Sequence, residues 1–108
     1  VRGADLLAST PRQIFLQQAL SYGAPRYMHV PVAVDASGAK LSKSAGSARL
    51  PRSPLSALVA AWRFLGQPPI DTPSSVDDFW RFAIARWQPQ RIPASQKLPA
   101  PGYSPAIV

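Results

Sequence analysis

Thirteen prolines among 108 residues decide where this chain can run regular structure and where it cannot. A proline fixes φ and lacks a donor, so it suits helix starts, turns and sheet edges and breaks helix interiors. Pro51 and Pro54, with Gly46, interrupt any pattern from Ser44 to Pro54. Pro68, Pro69 and Pro73 make a second interruption, and Pro89, Pro93, Pro99, Pro101 and Pro105 are expected to deny regular structure past Gln88. The punctuation divides the chain into residues 1–50, residues 51–93 and a Pro-rich, extended or disordered tail of residues 94–108.

Between these breaks the periodicities are clear. Ser9 or Thr10 can cap a first helix, Pro11 sits at a first-turn position, and Gly23 can close it, with Phe15, Leu16, Ala19 and Leu20 on one face. Met28, Val30, Val32 and Val34 then alternate with Tyr27, His29, Pro31 and Ala33, the period of a half-buried strand. Asp35 to Gly38 supplies turn chemistry, with Gly38 able to take a positive φ. With Val1 as the tail of an earlier strand, residues 1–34 read as a βαβ remnant of α/β class.

Ser53-Pro54 opens a second helix in which Leu55, Leu58, Val59, Trp62 and Leu65 recur at helical steps up to Gly66. Ser75 and Asp78 form a capping box for a third, on which Val76, Phe79, Trp80, Ala83 and Trp87 share a face. The two predict a helical hairpin burying Trp62, Phe79, Trp80 and Trp87, each contributing about 2–3 kcal/mol. Trp62, Trp80 and Trp87 could also stack on bases, but their helical spacing favours core packing.

Twelve Lys plus Arg against five Asp give a net charge of +7, and Lys40, Lys43, Arg49, Arg52 and Arg63 lie in the acid-free stretch between Asp35 and Asp71. Such an imbalance favours a polyanionic partner, tRNA, other RNA or a nucleotide, through phosphate contacts. Cysteine is absent, which excludes disulfides and thiolate metal sites. No apolar run approaches the ~20 residues of a membrane span, and the first residues do not resemble a signal peptide, so a cytoplasmic location is expected.

The stretch Lys40-Leu41-Ser42-Lys43-Ser44 carries the chemistry. A Lys ammonium is a flexible point charge able to follow a phosphate, and Ser42 and Ser44 add hydroxyl donors. The turn before it launches this loop from a strand end, where open α/β sheets bind ligands.

KLSKS is similar to the KMSKS signature loop of class I aminoacyl-tRNA synthetases, with Leu41 in place of Met. VRGADLL at the start, STPRQ from Ser9 to Gln13 and PRYMHVPV from Pro25 to Val32 resemble the glutamyl branch of that family. SPLSALVAAWRFLGQP and the W-x-x-x-R-I-P run from Trp87 to Pro93 resemble the closing helical segment of a short glutamyl-tRNA synthetase paralogue. That paralogue passes glutamate to the queuosine base in the anticodon of tRNA(Asp). The resemblance implies the second part of a Rossmann-like catalytic domain over residues 1–50, then a helical stem-contact region over 51–93.

A doubly wound fold needs more strands than 108 residues hold. The family's HIGH motif belongs to the first half of the domain, and His29, the sole histidine, cannot supply it. The chain therefore reads as a C-terminal portion, expected to be inactive alone. The resemblance implies ATP, Mg²⁺, glutamate and tRNA as partners, zinc only in the other half if at all, and no DNA, membrane or metal ligands here. A conventional glutamyl-tRNA synthetase acting on tRNA(Glu) and a non-catalytic RNA-binding module are the alternative functions.

By the same resemblance, Lys40 and Lys43 are the catalytic residues, neutralising ATP phosphates as pyrophosphate leaves, with Leu41 and Ser42 completing the ATP-binding loop. Arg2, whose planar fork can hold a carboxylate in bidentate fashion, is the glutamate ligand. Asp5 could orient Arg2, a ligand ammonium or a ribose hydroxyl, or simply favour a helix start. His29 could line the nucleotide pocket or be a structural strand residue. Arg63, Arg81, Arg86 and Arg91 beside the later helices form either a tRNA-backbone patch or a solvated face.

Overall fold

A computed structural model describes residues 1–43, without the side chain of Lys43, and residues 53–101. Strand β1 (Arg2–Gly3) passes through a 3-10 helix (Ala4–Ser9) into helix α1 (Thr10–Ala19), and the chain returns as β2 (His29–Val30), parallel to β1. The predicted βαβ order is thus present, with Arg2 opposite His29 and Gly3 opposite Val30. The expected single strand over YMHVPVAV is divided at Pro31, which has no N–H for a ladder, and resumes as β3 (Val32–Val34).

Helix α1 begins as predicted, with Pro11 in its first turn, but Ser9 makes no side-chain cap bond. It also stops before Gly23. Ser21 takes the left-handed conformation at φ 60°, its N–H donating to Gln18 and that of Tyr22 to Gln17, so the terminal carbonyls are satisfied two residues early. Phe15, Leu16 and Leu20 are exposed, and the predicted apolar face has no cover among the described residues.

Helix α2 (Pro54–Phe64) is capped by Ser53 and α3 (Val76–Arg86) by Ser75, as the sequence predicts. Asp78 completes the box one residue earlier than its usual form, accepting from the Ser74 N–H at 3.0 Å. Trp62, Phe79 and Ala83 form the core of this hairpin, with Leu55, Leu58, Val59 and Ile70 packed against it. The expectation for all four large aromatics is corrected here: Trp80 is 49% and Trp87 40% exposed. Both still touch the core aromatics, Trp80 T-shaped on Phe79 and Trp87 tilted on Trp62.

The tail also departs from expectation. Pro89–Arg91 forms a short 3-10 helix, and β4 (Lys97–Pro99) pairs parallel with β3. The Val32 N–H donates to Gln96 and the Ala100 N–H to Val34. Pro99 is tolerated because it ends an edge strand. Sheet pairing, not local propensity, orders this part of residues 94–108. The described strands form two separate two-stranded sheets, β1–β2 and β3–β4, so a doubly wound sheet is not present among the described residues.

Candidate ligand-binding site

Arg2 projects from β1 into an array of neutral groups. Its Nε donates to His29 Nε2 at 3.1 Å, Nη1 to Gln13 Oε1 and Nη2 to Thr10 Oγ1. The guanidinium also lies over the Tyr27 ring, 4.8 Å from its centroid, a cation–π arrangement. Tyr27 in turn stacks with His29 and donates from its hydroxyl to Gln17. The placement follows from local geometry: Tyr27 and His29 are two apart in extended backbone and share a face, while Thr10 and Gln13 are one helical turn apart on α1.

Among the described residues no ion pair joins this guanidinium to an acid. The five acids are Asp5, Asp35, Asp71, Asp77 and Asp78, and the one ion pair found among the described residues joins Lys40 to Asp5. Arg2 is half-buried and donates to His29, Gln13 and Thr10.

The lysine loop is reached through a tight turn. Asp35 Oδ1 accepts from the N–H groups of Ser37 and Ala39 and from the Ser37 hydroxyl, Gly38 takes φ 83°, and Val34 and Lys40 form an antiparallel bridge. This is the turn read from Asp35 to Gly38. Leu41–Lys43 follows as a short 3-10 helix. Lys40 Nζ donates to Asp5 Oδ2 at 2.9 Å, tying the loop to the turn that directly follows Arg2. The side chain of Lys43, together with Ser44, Arg49, Arg52 and the remainder of 44–52, lies outside the described residues.

Asp5, Lys40, Val32, Val34, Gln96 and Lys97 line a cleft of about 260 Å³. Lys97 enters it because β4 lies along β3, a long-range pairing with no local signal in the sequence. Thr10, Gln13 and Tyr27 were equally missed as site residues, although their spacing relative to Pro11 and His29 offered a signal. A separate apolar cleft of about 220 Å³ between α2 and α3, lined by Trp62, Trp80 and Trp87 among others, contains no titratable group.

Of the later arginines, Arg91 donates to the Gly66 carbonyl at 2.9 Å, and Arg86 lies over Phe82. Arg63 and Arg81 are exposed. No helix among the described residues is long and apolar enough to cross a membrane.

No family model matches the chain. It is 50% identical over 103 residues to a glutamyl-Q tRNA(Asp) synthetase of Xanthomonas campestris pv. campestris, covering 93% of this chain and 35% of that protein. A protein of the same name in Burkholderia mallei is 56% identical over 90 residues, 81% of this chain and 30% of its own length. Another in Aromatoleum aromaticum is 47% identical over 107 residues, 94% and 33% respectively. The chain thus spans about a third of the length of the curated relatives it matches. The resemblance read from KLSKS and its flanking segments is thereby borne out: the curated homologues are synthetases of that short glutamyl paralogue.

Proposed function

We propose that this chain, homologous over most of its length to glutamyl-Q tRNA(Asp) synthetases, forms part of an ATP-dependent ligase that activates glutamate and transfers it to queuosine in tRNA(Asp). The observation that carries this reading is the Lys40–Asp5 contact at 2.9 Å, which draws the KLSKS loop to the chain segment immediately after Arg2. On this reading the Lys40 ammonium would grip phosphate and the Arg2 guanidinium would bind carboxylate, with Asp5, three residues after Arg2, as the link between them.

In the proposed reaction Arg2 holds the side-chain carboxylate of glutamate through a charge-assisted fork. The substrate α-carboxylate attacks the α-phosphorus of ATP, the bond to the bridging oxygen of pyrophosphate breaks, and glutamyl-adenylate forms. Lys40, with Lys43 on the same loop, stabilises negative charge on the phosphates as pyrophosphate departs. A hydroxyl of the RNA then attacks the adenylate carbonyl, loses its proton, and expels AMP. Asp5 holds Lys40 in place until the phosphates arrive. Mg²⁺ would come with the ATP phosphates; among the described residues no group of three His, Cys, Asp or Glu is disposed to hold a metal.

The test is glutamate-dependent exchange of pyrophosphate into ATP by the full-length protein, followed by transfer of labelled glutamate to queuosine-containing tRNA(Asp) or to tRNA(Glu). Exchange with transfer to tRNA(Asp) is the expected result. Transfer to tRNA(Glu) would assign a conventional synthetase, and RNA binding without exchange would overturn the catalytic reading.

A further inference from the structure

β4 brings a second lysine to the cleft that holds Lys40. In the parallel register Lys97 lies opposite Val32, and because side chains alternate between the two faces of a strand, opposed residues of neighbouring strands share a face. Val32 and Val34 are buried there, and together with Asp5, Lys40, Gln96 and Lys97 they line the cleft of about 260 Å³. The strand pairing does not need the ammonium. The Val32 N–H donates to the Gln96 carbonyl, the Ala100 N–H to that of Val34, and the Ser95 hydroxyl to that of Lys97, so any side chain at position 97 leaves these bonds in place.

Lys97 makes no ion pair among the described residues, whereas Lys40 is held by Asp5 at 2.9 Å. Two ammonium groups and one carboxylate therefore line a cleft with an apolar wall, an arrangement that focuses positive potential on an entering anion. Pockets that enclose a whole drug-sized ligand run to about 300–1,000 Å³, so this one suits the phosphate end of a larger molecule. We infer that Lys97 is a second phosphate ligand of the nucleotide site, delivered by β4 to the cleft that Lys40 also lines. The inference rests on the reading of Lys40 as a phosphate-binding residue and adds to it a cation from outside the KLSKS loop. A nucleotide is the favoured source of the phosphate because Lys40 belongs to the loop assigned to ATP; the RNA backbone is the competing source.

The test grades the charge at position 97 in the full-length protein. Lys97→Gln should raise the KM for ATP and for inorganic pyrophosphate in glutamate-dependent exchange by about tenfold, the scale of losing one charged hydrogen bond. Lys97→Glu should exceed this, Lys97→Arg should stay within about threefold of wild type, and KM for glutamate should stay within about twofold in all three. The spread among the variants should narrow as salt is added. A merely structural lysine would shift thermal stability and leave both phosphate-dependent KM values level across the series, which would overturn the inference. A second measurement needs no variant: in the wild type, pyrophosphate should protect Lys97 as well as Lys40 from an acetylating reagent, read by mass spectrometry, and protection of Lys40 alone would overturn it. A loss confined to tRNA binding would put an RNA phosphate at Lys97 and overturn the nucleotide assignment. Wild-type protein without glutamate-dependent exchange would overturn the functional reading itself, whereas exchange that is indifferent to Lys97 overturns this inference alone.

Discussion

Lys40 reaches Asp5 across 35 positions of sequence to form an ion pair of 2.9 Å, with both side chains roughly two-fifths exposed. Exposure sets its energetic weight. A pair of this kind stabilises the fold by about 0–1 kcal/mol, because water screens it and two side chains must be ordered. Its role is geometric: it fixes where the lysine loop rests.

Replacing Lys40 with Ala should therefore separate stability from chemistry. The midpoint of thermal unfolding should move little, corresponding to less than about 1 kcal/mol. Glutamate-dependent pyrophosphate exchange in the full-length protein should fall by roughly 10²-fold, the scale of losing one charged group that stabilises a transition state. Equal losses of exchange and of glutamate binding would count against a phosphate-directed role.

Gly3 ensures that the Asp5 carboxylate can sit where it does. Its φ is an ordinary −66°, but a Cβ there would lie 2.4 Å from Asp5 Oδ1. Gly3→Ala should push that carboxylate away and leave Lys40 unpaired. The check is a double-mutant cycle on exchange rates: Gly3→Ala and Asp5→Asn should not add, because both remove the same anchor.

The aromatic pair Trp62 and Trp80 tests how burial divides the helical hairpin. Trp62 is 5% exposed and its indole N–H donates to the Pro68 carbonyl at 2.7 Å, whereas Trp80 is 49% exposed. Trp62→Ala should cost about 3–5 kcal/mol and Trp80→Ala well under half of that, read from denaturant midpoints. The same exposure would leave Trp80 free to stack on RNA bases, so fluorescence quenching of Trp80 but not of Trp62 on adding tRNA would mark that face as an RNA contact.

What could be read from the sequence divides along local and non-local lines. The helix starts at Pro11, Ser53-Pro54 and Ser75, and the turn at Asp35 to Gly38, are written in neighbouring residues, and the structure has them. Arg2, Lys40 and Asp5 were identified as site candidates because the motifs that carry them are contiguous. Missed were features that depend on what another segment does. β4 forms because Val32 and Val34 lie bare until residues 97–99 pair with them, and proline counting saw only the local cost. Helix α1 ends at Ser21 because backbone donors, not a glycine, satisfy its last carbonyls. Trp80 and Trp87 share a helical face with Phe79, but periodicity gives a direction and not the width of the surface waiting to cover it.

Gln67 shows the same non-local logic in a polar side chain. It is 6% exposed, donating to the Leu65 and Gln88 carbonyls at 3.0 Å each and accepting from the Gln88 N–H at 2.9 Å. It therefore joins the end of α2 to the segment after α3. Gln67→Leu would leave those three backbone groups without their partner. A loss of about 2–3 kcal/mol is expected, against less than about 0.5 kcal/mol for an exposed glutamine such as Gln90, measured by denaturant unfolding.

The end of α2 gives the sharpest backbone prediction. Gly66 takes φ 66°, its N–H donates to Arg63 and that of Gln67 to Trp62, the pairing that closes a helix through a left-handed residue. A Cβ on Gly66 would also lie 2.5 Å from the Arg91 carbonyl oxygen, a backbone atom that cannot swing aside. Strain and collision therefore act together. Gly66→Ala should cost about 2–4 kcal/mol and loosen the 3-10 helix around Arg91. Gly23→Ala meets nothing within 4 Å and has no positive φ to lose. It should be neutral or stabilise by up to about 1 kcal/mol through a less flexible unfolded chain. Equal melting-temperature shifts for the two alanines would show that the left-handed end of α2 contributes nothing to the hold between α2 and the chain beyond α3.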